Sequence, residues 1–77
     1  MAPGNGTKSN GTKLINNIRQ KRVLSNLTQE ELAEQVAVTR QTIIAIEKGN
    51  YSPSVILAIR LSKALSCKVE ELFYEET

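Results

Sequence analysis

The stretch NLTQEELAEQVAVTRQTIIAIEKGN, residues 26–50, carries the start and stop signals of two helices. Thr28 with Glu31 three residues on is a capping box: the Thr28 hydroxyl accepts from the Glu31 amide, and the Glu31 carboxylate reaches back to the Thr28 amide. Leu32, Ala33 and Val36 form the apolar stripe of the helix that follows. Ala37-Val38 is too brief for a loop with structure of its own. Thr39 then caps a second helix, Arg40–Lys48, with Ile43 and Ile46 inward, and Gly49 is placed to stop it.

Helical periodicity continues on both sides. Thr12 is a candidate N-cap, and Leu14, Ile15, Ile18 and Val23 mark one face of a leading helix that breaks at Ser25-Asn26. Downstream, Ser52 as N-cap and Pro53 at the first position open a helix whose inward side is Val55, Ala58, Ile59, Leu61, Ser62 and Leu65. After Ser66-Cys67-Lys68, a last short helix carries Val69, Leu72 and Phe73. No segment alternates with period two over a useful length, so the expected fold is all-α, five helices and no sheet. Residues 1–12, rich in Gly, Asn, Thr and Ser, read as a flexible N-terminal arm. Residues 13–74 read as the folded domain and residues 75–77 as a short acidic tail.

Composition narrows the chemistry. The 77 residues include no His, one cysteine (Cys67) and a formal charge of +2. Without His there is no imidazole base and no Ser-His-Asp arrangement. With one Cys there is no intrachain disulfide and no four-cysteine zinc site. No cofactor, metal or small-molecule ligand is expected, and the residues give no support to an enzyme. No apolar run approaches a membrane span and no secretory segment opens the chain, so a cytoplasmic protein is expected. The charge is polarised: residues 1–68 hold ten bases and four acids, whereas the last nine hold Glu70, Glu71, Glu75 and Glu76 and no base. A basic body with an acidic end suits a polyanion approached from one face.

Two short helices joined by about three residues have the dimensions of a helix-turn-helix. Small Ala33 lets them cross closely, Val38 and Ile43 fill the wedge, and the second helix projects its N-terminal end. The residues sharpen this. Leu27-Thr28-Gln29-Glu30-Glu31-Leu32-Ala33, Val38-Thr39-Arg40-Gln41-Thr42-Ile43 and Ile46-Glu47-Lys48-Gly49, with Pro53-Ser54 and Lys63-Ala64-Leu65, closely resemble the Cro/Xre-type family of phage and prokaryotic repressors. The resemblance covers roughly Leu14 to Phe73. It implies a five-helix, lambda-repressor-like domain that binds operator DNA, usually as a homodimer. Family members commonly carry Gly where this chain has Asn26, Ala37 and Ser66.

Base reading is expected from Arg40 and Gln41, whose side chains can bridge the hydrogen-bonding edges of guanine and adenine, and from Thr42, with Ile44 and Ala45 as an apolar strip for thymine methyls. Phosphate contacts are expected from Gln29, which by resemblance also braces the first recognition residue, from Thr39, and, by resemblance, from Lys48, Asn50 and Tyr51 after the recognition helix. Lys8 and Lys13 are further candidates. By resemblance, Arg22 and Glu47 form a pair that orients the recognition helix. The leftover apolar residues Leu72, Phe73 and Tyr74, with Ile56, are the expected dimer contacts. The alternative function is an antitoxin or protein-interaction module of the same fold.

Overall fold

The computed structural model describes residues 13–76. The elements run β1 (Lys13–Asn16), α1 (Ile18–Leu24), α2 (Gln29–Gln35), α3 (Arg40–Glu47), α4 (Val55–Ala64), α5 (Val69–Leu72) and β2 (Phe73–Glu76). The expected arm, with Lys8 and the Thr12 cap, lies outside the described residues, as does Thr77.

Five helices are present, but the fold is not all-α. β1 and β2 pair antiparallel, with Lys13 opposite Glu76, Leu14 opposite Glu75, Ile15 opposite Tyr74 and Asn16 opposite Phe73. Residues 13–16 are therefore strand, not the first turn of α1, and Glu75 and Glu76 belong to the sheet, not to a tail. The physical reason is a partner almost a whole chain length away. Four residues show no period, and backbone pairing with Phe73–Glu76 outweighs local helical spacing. α1 starts instead at Ile18. The Asn16 side chain accepts from the Ile18 amide (3.1 Å) and donates to the Ile46 carbonyl (2.8 Å), while Asn17 takes the Leu72 carbonyl on its backbone amide (2.8 Å). This Asn pair stitches the sheet junction to α3 and α5. With the helix starting at Ile18, Val23 falls off the inward face and is exposed.

The core is aliphatic: Ile18, Leu32, Ala33, Val36, Ile43, Ile46, Leu57, Leu61, Leu65 and Leu72, with Leu27, Val38, Cys67 and Phe73 packed against it. Thr28 and Glu31 form the capping box in both directions, and the Thr39 hydroxyl accepts from the Thr42 amide. α4 begins later than the spacing of Ser52-Pro53 suggests. Ser54 is its N-cap, accepting from the Leu57 amide (3.2 Å). The inward stripe of α4 is Leu57, Ala58, Leu61 and Leu65, and Val55 and Ile59 are exposed, because the core contacts select which of the adjoining apolar residues are buried.

Four helices end in one way. At Asn26, Ala37, Gly49 and Ser66 the backbone turns left-handed, with φ of 58°, 63°, 83° and 57°. Each amide there bonds back three residues, to the carbonyls of Val23, Glu34, Ile46 and Lys63 respectively. The next amide (Leu27, Val38, Asn50, Cys67) bonds back five, to Arg22, Ala33, Ala45 and Ser62. This is the Schellman terminator. Glycine adopts it freely, Asn tolerates it, and alanine strains by about 1–2 kcal/mol. Ala37 is exposed, so its methyl group contributes little packing in return. Ala37→Gly should raise stability by about 1 kcal/mol, moving the thermal midpoint up by roughly 4–8 °C, whereas Asn26→Gly should shift it far less. Melting both variants by circular dichroism checks this; equal shifts would show that left-handed strain at Ala37 is not the cause.

Candidate nucleic-acid interface

Glu47, the last residue of α3, sits at the meeting point of three helices. One carboxylate oxygen takes the Arg22 Nε at 2.7 Å. The other takes Arg22 Nη2 at 3.3 Å and the side-chain amide of Gln29 at 3.1 Å. The remaining Arg22 nitrogen, Nη1, donates to the Leu27 carbonyl (2.9 Å). The side chains of Arg22 and Glu47 are only 12% and 7% exposed. This is the single ion pair among the described residues, and a two-bond fork of this kind holds orientation as well as charge. Gln29 therefore braces Glu47, at the far end of α3, and not Arg40; its amide keeps a second proton for an outside acceptor.

With α3 held by its C-terminal end, its outward surface follows from the helical repeat. Ile43 and Ile46 point inward and are fully buried. Gln41, Ile44, Ala45 and Lys48 fall at i, i+3, i+4 and i+7, the opposite stripe. Gln41 and Lys48 are exposed, and Ile44 and Ala45 are half-buried between them. Arg40 is exposed beside this stripe, on the Glu47 side. Thr42 lies on the other flank, half-buried, its hydroxyl 3.2 Å from that of Thr39. Thr39 is thus occupied as a cap. Asn50 and Tyr51 are exposed in the loop after α3.

A shallow depression runs beside this stripe, lined by Arg19, Thr28, Gln29, Ile44 and Lys48. The place of Arg19 depends on the angle between α1 and α3, which no spacing rule provides, and the same holds for the bonds of Asn16 to α3. Leu72 is fully buried in the core and so unavailable to a second subunit, contrary to the expectation that it contacts one; Phe73 is half-buried and Tyr74 is exposed. Leu72 belongs to the shared aliphatic core, and its apolar character is used within the chain. Burial pushes the Cys67 thiol above its ordinary range, helped by Glu71 and opposed by Lys21, so it is a protonated, packed side chain at neutral pH. No described helix is long and apolar enough to cross a membrane.

A helix-turn-helix family model matches residues 18–72. The chain belongs to that family. Among its helix-turn-helix relatives are two archaeal proteins, both named as uncharacterized HTH-type transcriptional regulators. One, from Methanothermobacter thermautotrophicus, is 61% identical over 57 residues, covering 73% of this chain and 83% of the relative. The other, from Methanocaldococcus jannaschii, is 51% identical over 61 residues, 79% and 92% respectively. Among solved structures, the restriction-modification controller protein of Aeromonas hydrophila aligns with a TM-score of 0.66 at 28% identity, over 70% of this chain and 82% of that one.

Within this helix-turn-helix domain, Glu47→Ala strands the Arg22 guanidinium without its carboxylate in a nearly closed site. The expected loss is about 3 kcal/mol of folding stability, several times that of an exposed control such as Glu34→Ala. Thermal or urea unfolding of both variants measures it; a Glu47→Ala midpoint equal to that of the control would show that Arg22 is not stranded and that the site is open to water.

Proposed function

We propose that the protein is a sequence-specific double-stranded DNA-binding transcriptional regulator, a repressor acting as a homodimer in the cytoplasm, with α3 in the major groove. The observation that carries this reading is the stripe Gln41–Ile44–Ala45–Lys48 on the open side of a helix anchored from behind by Glu47. A groove about 12 Å wide admits one helix, and only side chains on its free face reach the base edges. Gln41, central on that face and exposed, has the paired donor and acceptor that adenine presents in mirror image. Ile44 and Ala45 supply an apolar surface for thymine methyls. Arg40 at the groove-entering end serves a guanine or a phosphate, and Thr42 is the least available reader because it faces Thr39.

Lys48, Gln29 through its spare amide proton, Asn50 and Tyr51 flank the stripe and suit phosphate oxygens, which fix register without reading sequence. Arg19 adds a cation on the α1 side of the same depression. A single such helix reads too few base pairs for useful specificity, and a two-fold dimer doubles the readout at half-sites one helical turn apart. A dimer seated across a promoter represses by occupying it.

The reading is tested on a duplex selected from a random pool and on a scrambled duplex, titrated at one salt concentration. Gln41→Ala should cost about 1–3 kcal/mol on the selected duplex, relax preference at one position per half-site, and leave the scrambled duplex nearly unaffected. Lys48→Ala should weaken both. Equal losses on both duplexes for Gln41→Ala would remove it from the reading role. A salt titration supplies a second check: four to six cationic phosphate contacts in the dimer should give a log–log slope of about −4 to −5, and a flat response would overturn the DNA reading.

A further inference from the structure

Lys13 opens β1, and the strand is bolted at its other end to the last turn of α3, where the Asn16 side-chain amide donates to the Ile46 carbonyl (2.8 Å). β1 and the loop that follows α3 share a cleft. Its polar rim is Lys13 on one side and Lys48, Asn50 and Ser52 on the other. All four are exposed. Among the described residues, none of their side chains makes a hydrogen bond or an ion pair. The Ser52 hydroxyl is free because Ser54 caps α4 in its place, and Asn50 is held only by its backbone amide, on the Ala45 carbonyl. Glu47 also lines the cleft, but its carboxylate is matched by Arg22. The acid across the sheet from Lys13, Glu76, forms no ion pair with it. Among the described residues, the rim thus carries two uncommitted cations, an amide and a hydroxyl.

We infer that this cleft seats one backbone phosphate of duplex DNA, and that the β1–β2 hairpin, through Lys13, is a second DNA-contacting element beside the helix-turn-helix. The inference rests on the DNA-binding reading above and adds a surface that the recognition helix does not contain. Lys48 ends the outward stripe of α3, so a duplex whose groove receives that stripe carries its backbone past Lys48. Lys13 stands across the cleft from Lys48, on the path of the same backbone. Two ammonium groups and two neutral donors around one anion fix position without reading bases, and each cation releases the counterions its phosphate had held. Asn16 ties β1 to α3, and β2 holds the strand along its length. The sheet therefore sets where Lys13 stands relative to the recognition helix, which gives the pairing of the two chain ends a role in binding.

Binding of the full chain across a range of salt, on the selected and the scrambled duplex, tests the seat. Lys13→Ala should weaken both about tenfold and make the log–log slope shallower by about 0.9 for each Lys13 engaged, about two in the dimer. Lys13→Arg should restore affinity and slope. Lys63→Ala removes a cation from a separate depression beside Gln35 and Arg60, and should change the slope far less. Ser52→Ala should weaken binding with the slope unchanged, because a neutral donor releases no counterion. The melting midpoint of Lys13→Ala should match that of wild type, since the side chain is exposed. The phosphate is then located by replacing the phosphates of the selected duplex with methylphosphonates, one at a time. At one position per half-site, wild type should lose affinity and Lys13→Ala should lose nothing more. A Lys13→Ala slope equal to that of wild type overturns the inference. So does a scan with no position at which neutralisation costs wild type and spares Lys13→Ala. Equal losses for Lys13→Ala and Lys63→Ala also overturn it, since net charge alone then accounts for both. A wild type that binds neither duplex overturns instead the DNA-binding reading on which the seat rests.

Discussion

Everything that α3 presents outward depends on one carboxylate. Glu47 is nearly closed off from water and would be costly to bury unpaired. Its cost is offset by three donors arriving from two other helices, and the Arg22 donor left over is spent on the Leu27 carbonyl, at the turn into α2. The pair is thus less a source of stability than a gauge. It fixes how far α3 is rotated and how far it slides, because a fork of fixed geometry tolerates neither. A small rotation of α3 about its axis would carry Gln41 off the crest of the free face and bring a flank forward.

The Schellman terminators serve the same end by different means. After a left-handed residue the chain must leave each helix in nearly the same direction, and three of the four next residues, Leu27, Val38 and Cys67, press into the core. That pressing lets Asn, Ala and Ser hold a conformation that glycine holds without strain. The fourth is different. After Gly49 comes Asn50, polar and exposed, so this terminator has no apolar anchor, and glycine stands at the one place where packing would not hold a side chain in the strained form.

What was legible in the sequence was local. The Thr28 capping box, the Thr39 cap, the Gly49 stop and the Ala33–Val38–Ile43 wedge each lie within one or two turns, where spacing alone specifies geometry. The helix-turn-helix and its outward residues followed. The resemblance to Cro/Xre-type repressors supplied the Arg22–Glu47 pair, which spacing alone does not show. The sheet was not legible, since a four-residue strand has no period to detect and its partner lies at the other end of the domain. The α4 stripe is only partly legible: Ser52 and Ser54 both suit a cap, and with Val55, Ile56, Leu57 and Ile59 all apolar the spacing does not single out Leu57 as the buried one. The place of Leu72 in the core is not legible either, because it is created by tertiary packing. Asn16 and Arg19 owe their positions to angles between elements, which no single-segment pattern contains.

The pairing of Lys13 with Glu76 makes the described chain a closed loop in space, its first and last residues side by side. Closing that loop carries an entropic cost that no neighbouring contact shares. Helices α1 to α4 can find their contacts from near neighbours, but the sheet forms only when Phe73–Glu76 exists to pair with β1, at the greatest loop entropy of any contact in the fold. During synthesis, β1 must therefore wait unpaired until the end of the domain has emerged. Asn17, whose partners Glu71 and Leu72 lie on α5, can fasten the start of α1 only then as well. The helix-turn-helix is closed by contacts between near neighbours, and the clasp that joins the two ends of the domain spans the whole of it.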